Sequence, residues 1–146
     1  MKKRLVILGG GESGAGAAIL GKQQGYDVFL SDAGALKESY RVELRNAAIE
    51  FEEGRHDEQR VLNAELVVKS PGIPEKNELV KKLREKEIPI ISEIEFAYWY
   101  KGNSKVIGIT GSNGKTTTTA LTYHLCKHGG LDCAMVGNIG YSLKRI

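Results

Sequence analysis

Short apolar runs alternate with amphipathic segments along most of the chain. Apolar runs predict strands at Arg4–Leu8, Asp27–Ser31, Glu65–Lys69 and Ile88–Ile91, and a further short strand is predicted at Glu50–Glu52. Apolar residues at helical spacing predict helices near Ala15–Gln24, Lys37–Ala48 and Asn77–Lys86, and one that ends near Tyr100. Strands that alternate with helices in this way indicate an α/β fold, in which helices cover both faces of a parallel sheet.

The alternation breaks between Ser92 and Ser104. The sequence S-E-I-E predicts a capping box, in which Ser92 caps a helix and Glu95 follows three residues later. A short polar linker, K-G-N-S, follows that helix. The second unit is predicted to contain two strands and one helix: Val106–Ile109, Cys133–Val136 and a helix from Lys115. We therefore predict two domains, residues 1–92 and the beginning of a second domain at residues 93–146.

The second unit contains a candidate phosphate loop. The apolar run Val106–Ile109 leads into G-S-N-G-K-T-T, which opens a helix whose free N–H groups favour an anion. Lys115 is placed to reach the β- and γ-phosphates of ATP, and the Thr116 hydroxyl to ligate Mg²⁺, so both are the predicted catalytic residues. The predicted ATP-binding residues are Gly111, Ser112, Asn113, Gly114, Lys115, Thr116 and Thr117. The common pattern G-x-x-x-x-G-K-[ST] would require glycine where Ile109 stands, and an ordinary strand–turn–helix is the alternative.

A second glycine loop follows the first predicted strand. G-G-G-E-S-G contains G-x-G-x-x-G at Gly9, Gly11 and Gly14, and Asp32 ends the next strand. This arrangement is typical of sites for NAD, FAD or another diphosphate, with the acid near a ribose hydroxyl. It also fits a purely structural turn, with Asp32 as a helix cap. S-P-G-I at Ser70–Ile73 ends another strand, where α/β sheets bind ligands, although a plain turn is equally consistent with it.

Composition narrows the possible functions. The chain has 146 residues, with 21 Lys and Arg against 18 Asp and Glu, a net charge of +3. These charges are dispersed and form no basic stripe, so we expect no nucleic-acid binding. No apolar run reaches the length of a membrane span, so we expect no membrane insertion. Cys126 and Cys133 indicate a reducing cytoplasm, and His124 and His128 are better explained as solvated helix residues than as a metal pair.

The motifs together resemble those of the Mur ligase family. That family carries T-G-[ST]-x-G-K-[ST]-T, which stands here at Thr110–Thr117 and explains the departure from the common glycine spacing. Asn113, S-P-G-I, S-E-I-E and G-N-I-G at Gly137–Gly140 are similar to the branch of the family that adds D-glutamate. The resemblance extends over all 146 residues, although family members are far longer.

The resemblance implies a Rossmann-like parallel-sheet domain followed by the start of a P-loop ATPase α/β domain. The expected activity is ATP- and Mg²⁺-dependent addition of D-glutamate to UDP-N-acetylmuramoyl-L-alanine through an acyl phosphate, in peptidoglycan biosynthesis. The residues expected to bind the UDP substrate are Gly9, Gly11, Glu12, Ser13, Gly14, Asp32, Ser70, Gly72 and Asn138, the last of which could instead be a turn residue.

The resemblance also places the family's other metal ligands and its C-terminal domain beyond Ile146, so residues 1–146 alone are expected to be inactive. Two alternatives are an NAD-dependent oxidoreductase domain, which would not need the phosphate loop, and a non-catalytic nucleotide-binding module.

Overall fold

The computed structural model describes residues 2–136. The chain divides into two compact units, Met1–Tyr100 and Lys101–Ile146. This geometric division does not decide where one functional domain ends and the next begins. The predicted boundary between residues 92 and 93 therefore stays a prediction.

The first unit is built on a five-stranded parallel sheet, which confirms the predicted α/β class. The strands are β1 (Arg4–Leu8), β2 (Asp27–Asp32), β3 (Glu50–Glu53), β4 (Leu66–Lys69) and β5 (Ile90–Ser92). Their spatial order is β3-β2-β1-β4-β5, so the chain builds outward from β1 to β3 and then crosses back to place β4 beside β1. The point where the order reverses lies between β1 and β4. In open α/β sheets, ligands bind outside the carboxyl ends of the strands at such a point.

Five helices accompany the sheet in the first unit. They are α1 (Glu12–Gln23), α2 (Glu38–Asn46), α3 (Glu58–Val61), α4 (Glu78–Glu85) and α5 (Glu93–Trp99). Asn77 caps α4 by accepting a hydrogen bond from Leu79 N at 2.9 Å. Ser92 caps α5 by accepting one from Glu95 N at 3.1 Å, which confirms its predicted role as a cap. Helix α3 was not predicted because a single turn is too short to show a helical period.

The strands bury side chains on both faces of the sheet. Leu5 and Ile7 of β1 pack in one hydrophobic cluster with Ala17 and Ala18 of α1, while Val6 and Leu8 pack in a second cluster with other residues. All four β1 side chains named here are at most 1% exposed. Burial on both faces explains why β1 and β4 read as continuous apolar runs rather than as alternating patterns.

Strand β5 begins two residues later than predicted, at Ile90. The Ile88 N–H donates to Leu83 O at 3.0 Å, so it belongs to the turn that follows α4. Pro89 has no N–H to offer to a strand pair. Helix α1 begins three residues earlier than predicted, at Glu12, immediately after the glycines of the first loop.

The second unit contains helix α6 (Lys115–His128), which was predicted, but lacks both predicted strands in its described residues. Val106 and Ile107 are 64% and 67% exposed, so the prediction of a buried strand at Val106–Ile109 is wrong for this structure. Cys133–Val136 likewise forms no strand. A strand exists only when its backbone pairs with another strand, and the described part of this unit contains none.

Candidate functional site

The first glycine loop (residues 9–14) leaves β1 through Gly9. Gly9 has φ of +100°, and a Cβ atom there would lie 2.7 Å from Ser70 Cβ. Its N–H donates to Ser31 O at 2.9 Å. Gly9 is therefore required by both its backbone conformation and the close approach of Ser70. This contact brings the glycine loop together with the S-P-G-I turn, two predicted parts of one site.

The other two glycines of the motif have different surroundings. A Cβ atom on Gly14 would lie 1.9 Å from Gly9 O, so glycine is needed there for helix and loop to pack. A Cβ atom on Gly11 would meet nothing within 4 Å. Gly11 is the N-cap of α1 and makes no side-chain cap hydrogen bond, so the first-turn N–H groups of Glu12 and Ser13 have no side-chain cap. Open space before an uncapped helix N-terminus suits a diphosphate.

Asp32 holds the loops of this edge together. Its Oδ2 accepts a hydrogen bond from Gly10 N at 2.5 Å, and its Oδ1 accepts one from Gly34 N at 2.7 Å. Asp32 does not cap α2, whose N-cap residue is Lys37. Each carboxylate oxygen retains a lone pair for a ligand, but the observed role of Asp32 is to position the backbone on either side of it.

The S-P-G-I turn (Ser70–Ile73) lies at the carboxyl end of β4. Ser70 N donates to Leu8 O at 2.9 Å, and Ile73 N donates to Ser70 O at 3.1 Å, which closes the turn. Gly72 does not have a positive φ, and a Cβ atom on it would meet nothing within 4 Å. Neither the backbone nor the neighbouring protein atoms require glycine at position 72, so this position is open for a ligand to approach.

Two polar connections near this edge were not predicted from the sequence. Ser13 Oγ donates to Glu93 Oε1 at 3.0 Å, and Glu93 is only 4% exposed. The Ser13 hydroxyl is therefore engaged within the protein, while its backbone N–H lies in the first turn of α1. The two residues are 80 positions apart, so no local pattern could have revealed their contact.

The second connection joins β2 to the segment after β3. Ser31 Oγ donates to Glu52 Oε1 at 2.6 Å and lies 2.6 Å from His56 Nδ1. Glu52 Oε1 also accepts from Asp57 N at 2.7 Å. Because the Ser31 proton goes to the carboxylate, Nδ1 carries the hydrogen that His56 donates to Ser31. The completely buried Ser31 thus orders a segment at the same edge of the sheet as Asp32.

The phosphate loop (residues 111–117) has the predicted turn and helix. Gly111 and Gly114 have φ of +150° and +74°, and Gly114 is the N-cap of α6 without a side-chain cap hydrogen bond. The Thr119 hydroxyl bonds back to Lys115 O at 2.8 Å. Within residues 2–136, the Thr116 hydroxyl makes no hydrogen bond, so it is available to a metal ion.

The Lys115 ammonium folds back over its own loop. It donates to Gly111 O and, at 3.3 Å, to Ser112 O. These acceptors are neutral carbonyls, and a phosphate oxygen would be a stronger partner for the ammonium. Lys115 would therefore have to exchange these contacts when phosphate binds. Asn138, the remaining predicted substrate residue, lies outside the described residues.

The described residues contain no ready metal site. Between residues 2 and 136, no group of three His, Cys, Asp or Glu side chains is arranged to hold an ion. The rings of His124 and His128 lie 4.2 Å apart without such a group, and Cys126 and Cys133 are both free thiols. No helix in this part of the chain is long and apolar enough to cross a membrane.

Comparison with known sequences gives consistent matches along the chain. The family model of the MurD N-terminal domain matches residues 4–79, and that of the Mur ligase middle domain matches residues 109–145. A UDP-N-acetylmuramoylalanine–D-glutamate ligase from Christiangramia forsetii is 54% identical over 146 residues, which are 100% of this chain and 33% of the relative. A ligase of the same name from Bacteroides fragilis is 57% identical and covers 97% of this chain and 32% of its own length. The chain thus spans about a third of the length of these relatives.

Solved structures agree with these matches. A murein peptide ligase from Psychrobacter arcticus superposes with a TM-score of 0.66 at 22% identity, covering 93% of this chain and 30% of its own, which is evidence for the fold alone. The UDP-N-acetylmuramate–alanine ligase MurC from Thermotoga maritima has a TM-score of 0.61 at 26% identity. The match covers 89% of this chain and 30% of the Thermotoga protein. Since the MurD N-terminal domain accounts for more than half of its residues, this chain belongs to the Mur ligase family.

Proposed function

We propose that this chain supplies the UDP-substrate domain and the phosphate loop of an ATP-dependent ligase that forms a C–N bond. The proposed reaction adds D-glutamate to UDP-N-acetylmuramoyl-L-alanine in the cytoplasm, as a step of peptidoglycan synthesis. The observation that carries the proposal is a pair of uncapped helix N-termini, those of α1 and α6, each opened by a glycine loop. Two separate anion sites suit a ligase that must hold both a nucleotide-linked substrate and ATP.

The carboxyl edge of the first sheet would hold the UDP substrate. The first-turn N–H groups of α1 have no side-chain cap, and a Cβ atom on Gly11 or on Gly72 would meet nothing within 4 Å, which leaves room for a ligand beside both glycines. Asp32 holds the backbone of the glycine loop and of the segment after β2 in place by accepting hydrogen bonds from Gly10 N and Gly34 N. We propose Gly9, Gly11, Glu12, Ser13, Gly14, Asp32, Ser70 and Gly72 as the substrate-binding residues of the described chain.

The phosphate loop would hold ATP and contribute one Mg²⁺ ligand. The residues present fit this role, because the α6 N-terminus has no side-chain cap and the Thr116 hydroxyl has no hydrogen-bond partner among residues 2–136. When bound, ATP would supply its γ-phosphoryl group to the substrate's carboxylate and leave as ADP, so that the amine of D-glutamate could then displace inorganic phosphate; a bare carboxylate is a poor acyl donor. Lys115 and the N–H groups of α6 would orient the phosphates and stabilise the charge that develops on them.

We propose that ligation needs more protein than these residues. One hydroxyl cannot hold Mg²⁺ alone, and the described chain presents no cluster of carboxylates to complete its coordination. The matched relatives are about three times as long, which leaves room for those ligands and for a site for the amine. Residues 1–146 should therefore release no phosphate from ATP in a substrate-dependent manner.

Titration calorimetry of the 146-residue chain tests the substrate assignment. UDP-N-acetylmuramoyl-L-alanine, UDP and NAD are titrated separately, with thermal unfolding as a check that the protein is folded. We expect the two uridine compounds to bind more tightly than NAD. Tighter binding of NAD would refute the proposed substrate site and favour an oxidoreductase domain instead.

A further inference from the structure

Lys69, the last residue of β4, has an unusual environment for a lysine. Its side chain is only 11% exposed. The ammonium donates to Ile73 O at 2.7 Å and to Ser70 O at 3.4 Å, and lies 3.2 Å from Glu75 Oε1. Two of the three donors of the ammonium thus bond to carbonyls, and the Glu75 carboxylate is its ion-pair partner. Withdrawing a charge from water is unfavourable unless such partners compensate for it, so these contacts define where the side chain lies.

The three contacts hold the S-P-G-I turn from one side. Two of the acceptors are the carbonyls of Ser70 and Ile73, the first and last residues of the turn. Glu75, the third partner, also forms an ion pair with Arg84 of α4, in which Glu75 Oε2 lies 2.6 Å from Arg84 Nη2. The Lys69 ammonium thereby ties the end of β4, both ends of the turn and a neighbouring helix into one arrangement.

On the side of Lys69, the turn borders a cavity that Lys69 itself helps to line. Pro71 and Glu75 line a cavity of about 340 Å³, which also reaches Ile90 and Glu93. The hydrogen bond between Ile73 N and Ser70 O closes the turn, but a single bond of this kind contributes only about 1 kcal/mol. Ile73 packs at the edge of the second hydrophobic cluster, and the ammonium is the group that joins the carbonyls at both ends of the turn.

We propose that Lys69 is a positioning residue for the UDP-substrate site. It holds the S-P-G-I turn in the shape that leaves Gly72 open and keeps Ser70 against Gly9 of the glycine loop. The Lys69 ammonium also hydrogen-bonds the carbonyl oxygens of Ser70 and Ile73. Its positive charge therefore weakens the negative potential that these oxygens would present to an anionic diphosphate. This inference rests on the proposed function of the site as a binder of a uridine diphosphate compound.

The test compares Lys69→Met with a matched control, Lys82→Met. Lys82 forms an ion pair with Glu58 at 2.7 Å in the same unit, but it contacts neither the turn nor the glycine loop. Both variants remove one ammonium from one carboxylate. The affinity of the 146-residue chain for UDP and for UDP-N-acetylmuramoyl-L-alanine is measured by calorimetry. Amide hydrogen exchange at Ile73 reports on the turn itself.

We expect Lys69→Met to raise the Kd for both uridine compounds about tenfold, while Lys82→Met changes it less than about twofold. Exchange at Ile73 should accelerate in Lys69→Met only. Lys69→Arg keeps a cation at this position and should bind more tightly than Lys69→Met. Should Lys69→Met unfold, Lys69→Gln retains an uncharged donor, and we expect it to bind more weakly than Lys69→Arg.

Wild-type affinity in Lys69→Met would overturn the proposal and leave the proposed function intact. Equal losses in Lys69→Met and Lys82→Met would also overturn it, because they would indicate a general effect of removing an ion pair. A wild-type chain that binds neither uridine compound would refute the proposed function, and the role of Lys69 with it.

Discussion

Replacing Gly11 with alanine should separate ligand binding from folding. Gly11 has φ of −66° and ψ of −172°, an extended conformation that alanine adopts without strain. The added methyl group would meet no protein atom within 4 Å. It would instead occupy the space in front of the α1 N-terminus, where the diphosphate is proposed to bind.

The expected effect on stability is small because two contributions oppose each other. Alanine is a poorer N-cap than glycine by about 0.5 kcal/mol. The lower conformational entropy of the unfolded alanine chain contributes about 0.4–1 kcal/mol in the other direction. A net change within about 0.5 kcal/mol corresponds to a shift of about 2–4 °C in Tm for a unit of this size.

Gly14→Ala is the matched comparison within the same motif. Its Cβ atom would lie 1.9 Å from the backbone oxygen of Gly9, and neither backbone can move without disturbing the β1–α1 connection. Overpacking of this kind costs about 1–3 kcal/mol, so Tm should fall by at least about 4 °C. Loss of binding in this variant would follow from damage to the loop.

The assays are thermal unfolding by circular dichroism and calorimetric titration with UDP-N-acetylmuramoyl-L-alanine. Gly11→Ala should keep its Tm while its Kd rises at least about tenfold, equivalent to about 1.4 kcal/mol. Gly14→Ala should lose stability. Wild-type affinity in Gly11→Ala would refute the reasoning, because a ligand that approaches Gly11 closely could not accommodate the methyl group.

Three further predictions concern Lys115, Ser92 and Glu53. Lys115→Met should weaken ATP binding at the proposed phosphate loop by about 1.5–3 kcal/mol, and a titration that finds wild-type affinity would contradict the role of Lys115. Ser92→Ala removes the bond to Glu95 N and should lower the free energy of unfolding by about 1 kcal/mol, as measured by urea denaturation; an unchanged midpoint would show that the cap contributes nothing. Hydrogen bonds from Leu36 N and Arg41 hold the pKa of Glu53 below its usual 4.5, so this stabilisation is present above that pH and is lost as pH falls through the lowered folded pKa. Glu53→Gln should therefore show a smaller fall in Tm between about pH 6 and about pH 3, and an undiminished fall would disprove the contribution of this carboxylate.

Local patterns were sufficient for the features that depend on neighbours in sequence. The run Arg4–Leu8 is predictable as a strand because burial on both faces makes its last four residues, Leu5–Leu8, continuously apolar. Ser92 and Asn77 mark helix starts because a cap bonds to an N–H only two or three residues ahead. The glycine loop and the phosphate loop are recognisable for the same reason, since consecutive N–H groups form each proposed anion site.

Tertiary structure decided the features that join distant residues. Whether Val106–Ile109 forms a strand depends on a pairing partner, which its own apolar pattern cannot supply. The contacts of Ser13 with Glu93 and of Ser31 with His56 arise because α5 and the segment after β3 fold back to those positions. Lys69 is only four residues from its partner Ile73, yet the sequence alone shows it as an ordinary residue at the end of a strand. Its role depends on burial and on the placement of Glu75, which only the packed sheet and helices determine.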